Sequence, residues 1–156
     1  MIKIGAKAPD IPLAATDGKT ISIKDFKGKS LILYFYPKDN TPGCTREGQD
    51  FSDLYPQFQA ANSEILGVSR DTVRVHDNFR KKHQFPFDLL SDSEEKLCNA
   101  FGVIREKKLY GRTYMGIVRS TFLICPEGKL VAAWDKVRVK DHAQDVLNTL
   151  LGNQQS

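Results

Sequence analysis

Cysteine is scarce in this chain, and the few present are poorly spaced for joint work. Cys44, Cys98 and Cys125 are the three in 156 residues, and no two of them form a C-x-x-C pair. That spacing excludes a disulfide framework and a cysteine-built zinc site. Long apolar runs are also missing: no window spans a bilayer, and the opening MIKIGAKAPDIPLAATDGKT has no signal-peptide core. The expectation is a cytoplasmic protein with no membrane partner. Neither a G-x-G-x-x-G string nor a P-loop occurs, so nucleotide binding is not indicated. Asp50 stands where the phosphate loop of cysteine phosphatases has arginine. Nor is there a basic block: the net charge of +4 is spread along the chain. Its densest stretch, Arg105-Glu106-Lys107-Lys108, carries its own acid and reads as a solvated loop rather than a nucleic-acid patch. His76, His83 and His142 are scattered on what read as polar helix faces and are expected to be solvated surface residues.

What is present is an ordinary globular composition, 40% hydrophobic and 27% charged, and enough chain for one complete core. One domain over residues 1–156 is expected, with residues 152–156 as a frayed polar tail. Ile21-Ser22-Ile23 alternates and reads as a short edge strand. Leu31 to Tyr36 is a continuous apolar and aromatic run, the pattern of a strand buried on both faces. Phe51, Leu54, Tyr55 and Phe58 then repeat at helical spacing, with Pro56 predicting a kink. Ile65 to Val68 reads as a strand, and Asp71 as the cap of a helix running to about Lys82. Phe87 to Leu90 gives a further strand. Ser91 with Glu94, or Asp92 with Glu95, offers a capping box for a short helix ending near Gly102. Thr121–Ile124 and Leu130–Trp134 flank the turn Pro126-Glu127-Gly128-Lys129 as a hairpin. A last helix near Asp141–Leu151 buries Val146, Leu147, Leu150 and Leu151. This order specifies an α/β fold, a central mixed sheet with helices on both faces.

Within YPKDNTPGCTREGQDF, Cys44 follows a buried strand and a Pro-Gly turn, where a helix begins. Its sulfur is therefore expected in the first helical turn, beside N–H groups that lack intrahelical partners. Those donors and the helix dipole favour an anion there. A thiol of ordinary pKa, about 8.5, is only a few per cent ionised at neutral pH, whereas one near 6 is mostly thiolate. Thr41 adds a hydroxyl able to donate to the sulfur and to accept from a substrate. Pro37 and Pro42 stiffen the loop. Spacing alone leaves two readings of Cys44 equally open, a reactive thiol and an inert buried one capping the turn.

Pro37-Lys38-Asp39-Asn40-Thr41-Pro42-Gly43-Cys44 resembles the P-x-x-x-T-x-x-C signature of peroxiredoxins, and TPGCTREG resembles their PrxQ or bacterioferritin-comigratory-protein branch. The likeness extends through GAKAPDIPLAATDGKTISIKDFKGK, ILGVSRD, FDLLSD and RSTFLI, in the expected order. It implies a thioredoxin-like fold and a thiol-dependent peroxidase acting on hydrogen peroxide and organic hydroperoxides through a sulfenic acid. It implies that Cys44 is the peroxidatic nucleophile, Thr41 a hydrogen-bond partner of the attacked oxygen, Pro37 a wall of the pocket and Arg119 the stabiliser of developing charge. Glu47 matches a carboxylate that orients this arginine; otherwise it reads as a first-turn acid. No metal or organic cofactor is expected.

The sequence departs from the family at the resolving cysteine. One family position, five residues after Cys44, is Gln49; the other aligns with Arg80. Cys98 and Cys125 read as core thiols. A one-cysteine cycle follows, closed by an external reductant: thioredoxin, glutaredoxin or glutathione. The alternatives are a two-cysteine cycle through Cys98 and a non-enzymatic holdase on the same fold. Branch members are often monomers, so a monomer is expected.

Overall fold

The computed structural model describes residues 2–154. Its centre is a five-stranded mixed sheet. β3 (Ser30–Phe35) lies in the middle, parallel to β4 (Ser63–Ser69), which is parallel to β5 (Leu89–Ser91). On its other side β3 is antiparallel to β8 (Ser120–Ile124), and β8 to β9 (Leu130–Trp134). The apolar run read as a doubly buried strand is that central strand. Leu31, Leu33 and Phe35 face one core, with Leu97 and Phe101 of α3 (Lys96–Phe101). Ile32 and Tyr34 face the other, with Phe51 and Phe58 of α1 (Pro42–Ala60), Phe79 of α2 (Val73–His83), and Val146 and Leu150 of α4 (His142–Gln154). Each face of the sheet is thus sealed by helices, the mixed α/β arrangement that the element order specified.

Several local expectations are corrected. The first short pair is β1 (Leu13–Ala14) with β2 (Thr20–Ile21), and Ile23 opens a 3₁₀ turn instead of continuing a strand. The cap of α2 is Thr72, whose hydroxyl accepts from the Val75 N–H; Asp71 turns the other way and accepts from Asp39 N–H. α3 has no capping box: Asp92 reaches its first turn and accepts from the N–H groups of Leu97 and Cys98. Leu151 is 39% exposed. Residues 152–154 belong to α4, and Gln154 donates to the Ala61 carbonyl; Gln155 and Ser156, the rest of the expected tail, lie outside the described residues.

The largest correction is at Arg105–Lys108. This stretch is not a loop but part of β6 (Ile104–Leu109), paired antiparallel with β7 (Arg112–Ile117) in a separate hairpin. Its charged residues masked the alternation. Tyr110 and Gly111 at the tip both adopt positive φ, as a two-residue hairpin turn requires. β7 leads within two residues to Arg119 at the head of β8.

Candidate active site

α1 starts immediately beyond the C-terminal edge of β3, because Thr41 is extended and Pro42 has the fixed φ of a first helical residue. The Thr41 carbonyl accepts the first helical bond, from Thr45 N–H at 2.9 Å. Gly43 and Cys44 therefore present N–H groups with no partner inside the helix, and Pro42 has none to leave unpaired. Cys44 is buried, 2% exposed.

Arg119 arrives from the other side of the sheet's end. One terminal nitrogen donates to the Cys44 sulfur at 3.3 Å and the other to Glu47 Oε1 at 2.6 Å. A methyl group on Gly43 would stand 3.1 Å from that guanidinium, so glycine leaves room for the approach. Glu47 lies in the second turn of α1, not the first, on the same face as Cys44. It is 1% exposed, and its Oε2 has no hydrogen-bond partner. Burial pushes its carboxyl up to about 7, with Arg119 pulling in the opposite direction. Burial also works against the charge of Arg119, but Glu47 and Cys44 outweigh it and hold the guanidinium above its ordinary range. The structure thus brings together Cys44, Glu47 and Arg119.

Pro37 and Thr41 lie on the intervening loop, both half-buried. Thr41 Oγ1 donates to the Lys38 carbonyl at 2.8 Å. Its proton is committed there rather than to the sulfur, so toward a ligand the hydroxyl acts as an acceptor.

The loop hangs from a buried polar group that the sequence reading missed. Asp39 is 3% exposed. Its carboxylate accepts from the Tyr36 hydroxyl at 2.6 Å and faces His76 Nδ1 at 2.6 Å, while its N–H donates to Asp71 at 2.9 Å. The other ring nitrogen of His76 lies 2.9 Å from the Leu90 carbonyl, an acceptor only, so Nε2 carries a proton. His76 is fully buried, contrary to expectation. The available signal was its place three residues before Phe79, on one helical stripe. Asp39, Asp71 and His76 also have the composition of a metal site. However, the 2.6 Å contact between Asp39 and His76 is a hydrogen bond. Two ligands of one tetrahedral zinc would stand about 3.3 Å apart with bonds near 2.0 Å. His142 is buried too: its Nε2 lies 2.8 Å from Thr121 Oγ1, and burial, with a smaller push from Arg119, lowers it to about 4. His83 is half-buried and packs edge-on against Phe79.

Cys98 is fully buried, and burial, followed by Asp92, pushes its thiol up. It belongs to the core on the opposite face of the sheet from Cys44. Cys125 follows β8, next to the start of β3. A cavity of about 140 Å³ lies at that far end, bounded by Leu31, Ile124 and Cys125 among others. It includes no residue of the Cys44 group, and the chemistry at Cys44 is the better guide to the site.

Residues 4–133 match the model of the AhpC/TSA family. The chain belongs to that family. It is 52% identical over 149 residues to peroxiredoxin Bcp of Bacillus subtilis, covering 96% of this chain and 95% of the relative. Against peroxiredoxin Bcp of Xanthomonas campestris it is 51% identical over 150 residues, covering 96% and 94%. A solved cysteine-to-serine variant of PrxQ from Xylella fastidiosa superposes with a TM-score of 0.94 at 45% identity, over 99% and 98% of the two chains. The X. campestris bacterioferritin comigratory protein, solved in work on its alkyl peroxide reduction, gives a TM-score of 0.88 at 51% identity over 92% and 91%. The fold is therefore the thioredoxin-like fold of peroxiredoxins, and the protein is a thiol-dependent peroxidase of the PrxQ/Bcp type. No helix among the described residues is long and apolar enough to cross a membrane.

Proposed function

We propose that the protein reduces hydrogen peroxide and small organic hydroperoxides in the cytoplasm, as a monomer, by a one-cysteine cycle. The observation that carries this reading is the Arg119 guanidinium, which donates to the Cys44 sulfur and the Glu47 carboxylate together. The Cys44 thiolate attacks one peroxide oxygen, the O–O bond breaks, and the leaving oxygen takes a proton and departs as water or an alcohol. Cys44 becomes a sulfenic acid. Charge spreads along the S–O–O axis in the transition state, where Arg119 and the free N–H groups at the start of α1 already point. Thr41 accepts from the peroxide O–H, Pro37 screens the sulfur from bulk water, and Glu47 fixes the guanidinium.

Two thiols of an external reductant then return the sulfenic acid to the thiol, releasing water and a disulfide. Thioredoxin, glutaredoxin and glutathione all have the required chemistry. Two observations support the absence of an internal partner. Cys98 lies across the sheet from Cys44. Cys125 is a strand's length away, on the order of 15 Å at about 3.3 Å per residue, whereas a disulfide needs Cα atoms within about 7 Å. Two solved X. campestris PrxQ structures carry cysteine-to-serine changes at positions thirty-six apart. Thirty-six residues beyond Cys44 this chain has Arg80, which pairs with Asp17.

Peroxide consumption by wild type, Cys44→Ser, Cys98→Ser and Cys125→Ser, each with dithiothreitol, glutathione and thioredoxin, tests the proposal. Loss in Cys44→Ser alone is expected. Loss in Cys98→Ser would return the two-cysteine cycle, and full activity in Cys44→Ser would favour the holdase.

A further inference from the structure

We propose that the β6–β7 hairpin is the docking strip for a disulfide-reducing protein, and that this partner carries an acidic and apolar rim around its own thiol. This rests on the one-cysteine cycle above, in which Cys44 must meet an outside thiol.

Four of the seven exposed large apolar side chains among the described residues stand on this hairpin: Leu109 and Tyr114 on one face, Met115 on the other, and Tyr110, 95% exposed, at the tip. Leu109, Tyr110 and Tyr114 stand on the outer part of the ribbon, whose base alone joins the core at Ile104 and Ile117, and such a group marks a surface that is covered in use. The register places Lys107 opposite Tyr114 and Leu109 opposite Arg112. Cross-strand partners share a face, so these four form one apolar and cationic strip. The same face continues to Gly116, over which the Tyr114 ring and the Lys107 stem lie.

That strip leads to the active site. Lys107 donates to the Ile117 carbonyl at 2.7 Å, two residues before Arg119. Its ammonium is held below its ordinary range by burial and then by Arg119, while Cys44 acts the other way.

Charge identifies the partner. On this face Arg112 forms no ion pair with any described residue, and Glu106, the single acid on the two strands, stands opposite Met115 on the other face. A cationic, aromatic strip matches an acidic partner with an apolar centre. A second copy of this chain, itself carrying +4, would meet it with like charge. A small thiol needs no strip of this length. In the step served, the partner's thiol attacks the Cys44 sulfenic sulfur, the S–O bond breaks, and the hydroxyl leaves as water with the proton of that thiol, giving a mixed disulfide. The partner's second thiol then attacks its own bonded sulfur and releases Cys44 as a thiol.

The test compares wild type with Tyr110→Ser and with the double variant Leu109→Ser/Arg112→Glu, all checked for unchanged melting. Three rates are measured: oxidation by hydrogen peroxide in a stopped-flow instrument, turnover with dithiothreitol, and turnover with thioredoxin and its NADPH-linked reductase or with glutaredoxin and glutathione. The expected result is a kcat/KM for the protein reductant lower by roughly tenfold or more in the double variant, with its salt dependence lost. Peroxide oxidation and dithiothreitol turnover stay at wild-type values. Equal losses with dithiothreitol, slowed peroxide oxidation, unchanged rates throughout, or a wild type turned over by dithiothreitol but by neither protein would each overturn the docking strip. A wild type that peroxide does not oxidise would instead remove the one-cysteine cycle beneath it.

Discussion

Asp39 and His76, thirty-seven positions apart, share a 2.6 Å hydrogen bond with neither side chain exposed. That contact ties the loop bearing Pro37 and Thr41 to α2. The carboxylate also accepts from Tyr36, and His76 Nε2 donates to a carbonyl, so one proton bridges the pair. Asp39→Asn keeps every bond: its amide donates to a neutral ring and its oxygen accepts from Tyr36. Asp39→Ala and His76→Phe leave buried polar groups unpaired and should cost about 3 kcal/mol. Urea unfolding should therefore place Asp39→Asn near wild type and the other two well below it, with slower peroxide oxidation in both. Equal stability of all four proteins would remove Asp39 as the loop's anchor.

Glu47 gives a pH signature. A carboxyl raised to about 7 from an ordinary 4.5 binds its proton more tightly in the folded state. Its contribution to stability is full below pH 4.5 and is lost as pH rises through 7, a swing of about 3 kcal/mol. In Glu47→Gln that swing is absent. The variant's stability relative to wild type should therefore rise between pH 4.5 and pH 7 and level off above, as read by denaturant unfolding across that range. A difference that does not vary with pH would contradict the raised carboxyl.

Gly48 is a packing requirement, not a flexible point. A methyl group there would stand 2.5 Å from the Phe85 ring. Helix propensity alone would make Gly48→Ala stabilising by about 1 kcal/mol. The clash with a buried aromatic should reverse the sign, to a loss of about 1–3 kcal/mol, and a measured gain in melting temperature would show that Phe85 yields.

Much of this architecture was legible because burial leaves period in the sequence. Leu31–Tyr36 announced the central strand, Phe51 and Phe58 the buried stripe of α1, and TPGC the helix start under the sulfur. What stayed hidden has physical reasons. β6 and β7 face water on much of their surface, so Arg105–Lys108 shows charge where a core strand would show alternating apolar residues. Asp39 and His76 are polar types that are seldom fully buried, and their pairing depends on a contact that no local spacing encodes. Asp71 and Asp92 are good caps by type, yet they spend their oxygens on a loop N–H and on a helix several residues away. Arg119 is a lone charge at a strand head, and the resemblance, not the pattern, singled it out.

Arg119 should not tolerate replacement by the other basic residue. Lysine offers a point charge where two nitrogens now serve two acceptors at 3.3 and 2.6 Å. Arg119→Lys and Arg119→Met should both slow peroxide oxidation by roughly a hundredfold or more in stopped-flow measurement, with Met the slower. Near-wild-type rates in Arg119→Lys would mean that charge alone is sufficient.

Intact-mass analysis of the reduced protein after one equivalent of hydrogen peroxide, with tryptic mapping, tests the one-cysteine account most directly. The account predicts a gain of one oxygen atom located on Cys44, trapped by dimedone and absent from Cys44→Ser. A loss of two hydrogens, with a peptide joining Cys44 to Cys98 or Cys125, would contradict it.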